Sequence, residues 1–152
     1  MQITDPDFIA FLIRAKKATY AGGGAEALPS RPNSHDLRYS EGDLTYIDTY
    51  LGGYEFIGEE AVWFQSQPLW GMNYYGWMLV PEIPDGFSPF LKDTLKQLPE
   101  QTPFRGPAQW ERGEFAYRCQ WSGNMAQFSG EEEIRYHGEV IYKLVFHGGR
   151  IR

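Results

Sequence analysis

LTYIDTYLGGYEFIGEEAVWF, residues 44–64, is the stretch on which the fold turns. Leu44, Tyr46, Asp48 and Tyr50 alternate with Thr45, Ile47, Thr49 and Leu51, the period of two that belongs to a β-strand. Gly52-Gly53 supplies the residues that a two-residue hairpin needs. Beyond it, Phe56, Gly58, Glu60, Val62 and Phe64 share one face of a second strand, predicted over 54–65. So short a connection permits only antiparallel pairing, because a parallel return needs a long crossover.

Working outward, Ser66-Gln67-Pro68 reads as the next turn, and a third strand follows over 69–80. Leu37-Arg38-Tyr39 adds a short edge strand upstream. Residues 5–17 read as a helix, with Asp5 as N-cap and Pro6 at the first position. Phe8, Phe11, Leu12 and Ala15 form its apolar stripe, and Gly22-Gly23-Gly24 is its stop and hinge. Residues 21–36 form a long aperiodic loop of the kind that serves as a lid or binding loop. Past Pro81, a second helix is predicted over 88–98, with Ser88 as cap and Pro89 at the first position. After a Pro-rich loop over 99–107, three strands close the chain over 114–121, 125–136 and 140–147. Ser122-Gly123-Asn124 and His137-Gly138 are their turns.

The order helix, meander, helix, meander suggests a duplication. Shifting the chain by 72 residues sets Phe56, Gly58, Glu59, Glu60 and Gly76 on identical residues, and six further apolar positions on apolar ones. The expected fold is therefore α+β: an antiparallel sheet of two meanders, with two helices packed on one face. It forms a single domain over 1–152, with repeat halves 5–80 and 86–149.

Composition narrows the function. In 152 residues, 42% are hydrophobic, enough for a proper core. One cysteine, Cys119, excludes a disulfide framework. A net charge of −6 argues against direct nucleic-acid binding. No apolar run is long enough to span a membrane, and MQITDPDF has no signal-peptide character, so the expected location is cytoplasmic. The unusual number is the aromatic content, 16%.

As a set, ATYAGGG (18–24), SRPNSHDLRY (30–39), YIDTYLGGYEFIGEEAVW (46–63) and WGMNYYG (70–76) resemble an uncharacterised bacterial domain family. The likeness continues through FRGP (104–107), FSGEEEI (128–134) and FHGG (146–149). Members of that family stand alone or follow a helix-turn-helix domain of the Cro/repressor type. The resemblance implies no catalytic residues; the fusion implies a sensor or effector-binding role.

The candidate site residues come from strand parity. Glu60 falls on the apolar face of its strand, and Glu132 does the same among Phe128, Gly130, Ile134 and Tyr136. Facing inward, each needs a partner or a raised pKa. Alternatively, β-bulges at Gly58 and Gly130 turn both outward. Asp48 shares parity with Tyr46 and Tyr50, and is placed to pair with Arg31 or Arg38 or to face the same pocket as Glu60. Trp70 and Tyr74 offer stacking surfaces, and Asn73 an orienting amide. Ser34-His35-Asp36 is too compact for a hydrolytic triad and reads as loop capping, with Arg31 available to hold a carboxylate or an anionic ligand. His35, His137 and His147 lack metal-binding spacing, and no metal or cofactor is expected.

Three functions compete. The first is a small-molecule binding or sensing domain, with an aromatic and acidic pocket under the 21–36 loop. Its residues are Glu60, Asp48, Tyr50, Trp70, Asn73, Tyr74, Arg31 and His35. The second is an enzyme on a small polar substrate, with Glu60 or Asp48 as acid/base and Arg31 or Arg105 as anion clamp. The third is an interaction module, such as a homodimer, built on exposed aromatics. The first is the expectation carried forward.

Overall fold

The structure, a computed structural model, describes residues 1–19 and 25–152. The predicted Gly22–Gly24 hinge lies outside the described residues. Among the described residues are helix α1 (Pro6–Ala18), strands β1 (His35–Glu41), β2 (Leu44–Gly52), β3 (Glu55–Phe64) and β4 (Gln67–Met78), helix α2 (Phe87–Leu95), and strands β5 (Gln109–Arg112), β6 (Phe115–Asn124), β7 (Gln127–Tyr136) and β8 (Glu139–Arg150). The eight strands form one antiparallel sheet in the order β1-β2-β3-β4-β8-β7-β6-β5. The two meanders join along β4 and β8, with Tyr74 opposite Phe146.

The fold is richer in strand than the sequence suggests. β1 runs for seven residues rather than three. β5 has no counterpart in the prediction, because its four residues are all exposed and leave no alternation to read. The β3–β4 turn lies at Gln65-Ser66, one step early, where both residues take positive φ (49° and 68°). The β6–β7 turn falls at Met125-Ala126, so the predicted Ser122-Gly123-Asn124 turn is the end of β6. α2 begins before Ser88: Gly86 takes a left-handed φ of 87° and its carbonyl accepts the Phe90 N–H. Pro89 still fits, since the first turn of a helix has no intrahelical use for its N–H. Asp5 holds the α1 N-cap position, but its carboxylate accepts the Gln2 N–H rather than an N–H of the helix.

Both helices lie on one face of the sheet. Lys16 of α1 reaches Glu60 on β3, while Phe87 and Phe90 of α2 pack on Tyr142 and Phe115. That face carries Tyr46, Val62, Trp70, Met72, Leu144, Ile134 and Tyr117, all buried. The opposite face is open. Ile57, Tyr75 and Val145 are direct neighbours across β3, β4 and β8, and stand 54%, 40% and 45% exposed. Among the described residues no helix is long and apolar enough to cross a membrane.

Candidate functional site

Straight register decides the fate of the two glutamates. Glu60 lies between Asp48 on β2 and Met72 on β4; Glu132 lies between Cys119 on β6 and Leu144 on β8. The irregularities in pairing fall later, at Val62/Trp63 and Ile134/Arg135. Gly58 and Gly130 are therefore not bulges, and both carboxylates point into the core. The glycines have another role. A Cβ on Gly58 would sit 2.4 Å from the Tyr74 ring, and one on Gly130 would sit 2.3 Å from the Phe146 ring. Each glycine makes room for an aromatic ring to lie flat across the sheet.

Tyr74, lying over Gly58, donates its hydroxyl to Asp48 Oδ1 at 2.6 Å. Glu60 Oε2 meets Lys16 Nζ at 2.5 Å, and Lys16 also donates to the Phe104 carbonyl at 2.7 Å. Arg105 holds Glu132 through Nε and Nη2, at 3.2 and 2.7 Å, and its guanidinium lies 5.6 Å over the Tyr74 ring. A buried polar group thus spans both meanders, joined through Tyr74 and Arg105.

The electrostatics follow from burial. Desolvation, with the neighbouring Glu60 charge, pushes the Asp48 carboxyl up to about 7, against the pull of Tyr74, Arg105 and Lys16. Burial holds Lys16 below its usual value although Glu60 supports its charge. Burial and the Asp48 charge raise Tyr74, so it remains a proton donor. Burial and Glu132 raise the Cys119 thiol to about 12, which leaves it unreactive.

Above Asp48 a cleft of about 310 Å³ opens between α2 and strands β2–β4. Its floor is Asp48, with Tyr74 and Arg105 beside it. Tyr50, Phe56, Phe87 and Tyr142 contribute aromatic walls, and Leu91 and Leu95 line it from α2. Exposed residues at its mouth are Gly52, Gly53, Ile83, Ser88 and Lys92. Asp48 is only 2% exposed, and its Oδ2 accepts no hydrogen bond from the described residues.

The cleft gathers three of the eight sequence candidates, Asp48, Tyr50 and Tyr74. Glu60 and Trp70 are sealed behind it; Trp70 stacks on Phe128 at 5.6 Å, and its indole N–H has no partner among the described residues. Asn73 lies on the open face. Asp48 bonds Tyr74 rather than Arg31 or Arg38. Arg31 donates to Thr49 Oγ1 at the β1–β2 edge. His35 stacks on Tyr50 at 4.8 Å and bonds Glu26. Ser34 and Thr49 hydroxyls and the Ser30 N–H all converge on Asp36, which ties the loop to the sheet. The roof of the cleft is α2, and the described part of the 21–36 loop touches it only through His35 against Tyr50.

Sequence reasoning missed Lys16. This residue lies in the last turn of α1, where a cation suits the helix C-terminus, yet it follows Phe8 and Leu12 at intervals of four, on the buried stripe. Nothing local in the sequence marks the α2 wall residues Phe87 and Leu91 as lining a cleft.

The family model for a domain of unknown function, DUF5680, matches residues 48–151. The chain belongs to this family. The matched segment holds Asp48, Glu60, Tyr74, Arg105, Glu132 and the α2 wall, and leaves out Lys16. No curated protein and no solved structure matches the chain.

Proposed function

We propose that this domain binds a small molecule in the cleft between α2 and β2–β4, and that binding is its function rather than catalysis. The observation that carries this reading is Asp48, a buried carboxyl at the floor of an aromatic cleft with one oxygen unmatched. A fold selected only for stability would fill such a space with apolar side chains. For acid/base work the cleft offers one carboxyl, since Glu60 is fully buried behind it. The resemblance to domains carried behind helix-turn-helix modules supports a sensing role, as does the paired register of the two halves, which we read as copies of one unit.

A thermal-shift screen against metabolites, run on the wild type and on Leu91→Trp, tests the reading. A ligand at ~100 times its Kd adds about 2.7 kcal/mol, a shift of a few degrees. That shift is expected in the wild type and absent when the tryptophan fills the cleft. A shift retained in Leu91→Trp places binding elsewhere and defeats the proposal.

A second reading rests on the open face, where Ile57, Tyr75 and Val145 form an exposed apolar row. It assigns that face to self-association. Light scattering of the wild type and of Tyr75→Lys separates the two: a dimer dissociated by the substitution supports it, and a monomer at all concentrations removes it.

A further inference from the structure

We infer that the ligand of the cleft is an organic monocation, an amine or quaternary ammonium on a compact apolar body, with Asp48 as its counter-ion. The inference rests on the binding reading above and adds the charge and shape of the ligand.

Apart from Asp36, which Ser30, Ser34 and Thr49 hold at the 21–36 loop, five charged side chains are buried, in the cleft floor and behind it. Lys16 is matched to Glu60 and Arg105 to Glu132, both pairs within contact distance and almost wholly out of solvent. Asp48 is the fifth charge, and no cation contacts it within the range of a salt bridge among the described residues. The Arg105 Nε and Nη2 donors are committed to Glu132. Lys92 lies at the exposed mouth, where water screens it. An ionised Asp48 therefore feels Arg105 and Lys16 only from beyond contact, and a cationic ligand supplies the contacting charge that it lacks.

The walls point the same way. Tyr50, Phe56, Tyr74, Phe87 and Tyr142 bring five rings around one carboxyl. Aromatic faces with a carboxylate behind them suit an ammonium, because the ring quadrupole attracts a cation. An anionic ligand would meet those faces and Asp48 with the wrong sign, and the Arg105 guanidinium beside them already holds Glu132. The volume, about 310 Å³, is at the small end of ligand pockets, so the body is compact.

Binding of a cation requires Asp48 in its ionised form. The groups that face Asp48 are Glu60 from β3, Tyr74 from β4, Lys16 from α1 and Arg105 from the segment before β5; Tyr50, Tyr142 and Lys92 line the same cleft. With the Asp48 carboxyl near 7, affinity for a permanent cation falls about tenfold from pH 8 to pH 6 and is nearly level above pH 8.

The test uses three probes with one body: phenethylamine, 2-phenylethanol and phenylacetate, titrated calorimetrically into the full chain. The amine is expected to bind at least about tenfold tighter than the alcohol at pH 8, a difference of about 1.4 kcal/mol, with the acid weakest. The preference should shrink at pH 6 and vanish in Asp48→Asn. The charge series and the pH series need only the wild type, so they stand even if Asp48→Asn folds poorly. Equal binding of amine and alcohol, or an amine preference that survives in folded Asp48→Asn, overturns the cation while leaving the cleft as a binding site. Binding of none of the three overturns the cation as well. If the metabolite screen also gives no cleft-dependent shift, the binding reading falls with it.

Discussion

Glu60 and Glu132 occupy matching places in the two meanders, and the protein treats them differently. Glu132 is saturated. Its two oxygens accept from Arg105 twice, from Tyr117 at 2.5 Å and from Tyr142 at 2.8 Å. Glu60 has Lys16 on one oxygen, and its other oxygen has no hydrogen-bond partner among the described residues. Opposite Glu132 stands Cys119, an inert thiol; opposite Glu60 stands Asp48, a second acid. A polar network that is complete fixes a structure, whereas one left short of donors keeps a charge in reserve. The contrast leaves the second meander with a saturated ion pair and the first with two adjacent acids that share one contacting cation.

The largest effect expected from breaking this contrast is Glu132→Gln. It leaves Arg105 charged and buried with no anion, and an arginine cannot shed its proton. A loss of about 3–5 kcal/mol is expected in urea unfolding. Glu60→Gln should cost less, about 1–2 kcal/mol, because Lys16 already sits below its ordinary pKa through burial and can go neutral. Equal losses for the two would erase the distinction between the meanders.

Next is the pH dependence set by Asp48. Its folded pKa, about 7, exceeds the ordinary 3.8, so the folded state holds the extra proton between those values. Stability from this group is complete below about pH 4 and is lost as pH rises through 7. The fall is on the order of a few kcal/mol. Denaturation at pH 5 and pH 8 should show it in the wild type, and Asp48→Asn should flatten it. A wild type more stable at pH 8 than at pH 5 would contradict the assignment.

Gly58→Ala gives a smaller effect. The added methyl collides with the Tyr74 ring and forces it to move, at a cost of about 1–3 kcal/mol. The Tyr74 hydrogen bond restrains Asp48, so its loss should also move the Asp48 titration upward. An NMR titration of the carboxyl that shows no movement would separate Tyr74 from Asp48.

How much of this was legible in the sequence depends on what each feature leaves in the pattern. Alternation over 44–64 revealed the hairpin, its faces and the inward parity of Asp48 and Glu60. Parity could not exclude a bulge, because a bulge is set by pairing with a distant strand. It also could not supply partners. Arg105 lies in an aperiodic segment, and its match to Glu132 exists only after folding. Lys16 was readable from helical spacing, had the buried stripe been given precedence over the favourable place of a cation at a helix end. The α2 roof was not readable at all: a residue that lines a cleft and one that fills a core share the same helical period. β5 left no trace because neither of its faces is buried.

The smallest effect is also the sharpest control. Arg14 grips Glu41 as Arg105 grips Glu132, through Nε and Nη2, at 3.0 and 2.7 Å against 3.2 and 2.7 Å. Each pair ties a segment outside the sheet to a strand, α1 to β1 in one case and the segment before β5 to β7 in the other. They differ in solvent and in neighbours: the Arg14 pair is about half exposed on both sides, whereas the Arg105 pair is almost entirely enclosed, with Tyr117 and Tyr142 also donating to Glu132. Water already stabilises each exposed charge, so removing its partner strands nothing. Glu41→Gln is expected to leave the unfolding midpoint within experimental scatter, in the same buffer in which Glu132→Gln loses much of the stability. A large loss at Glu41 would mean that the grip itself, rather than its burial, carries the energy, and the contrast between the two glutamates would then need a different physical basis.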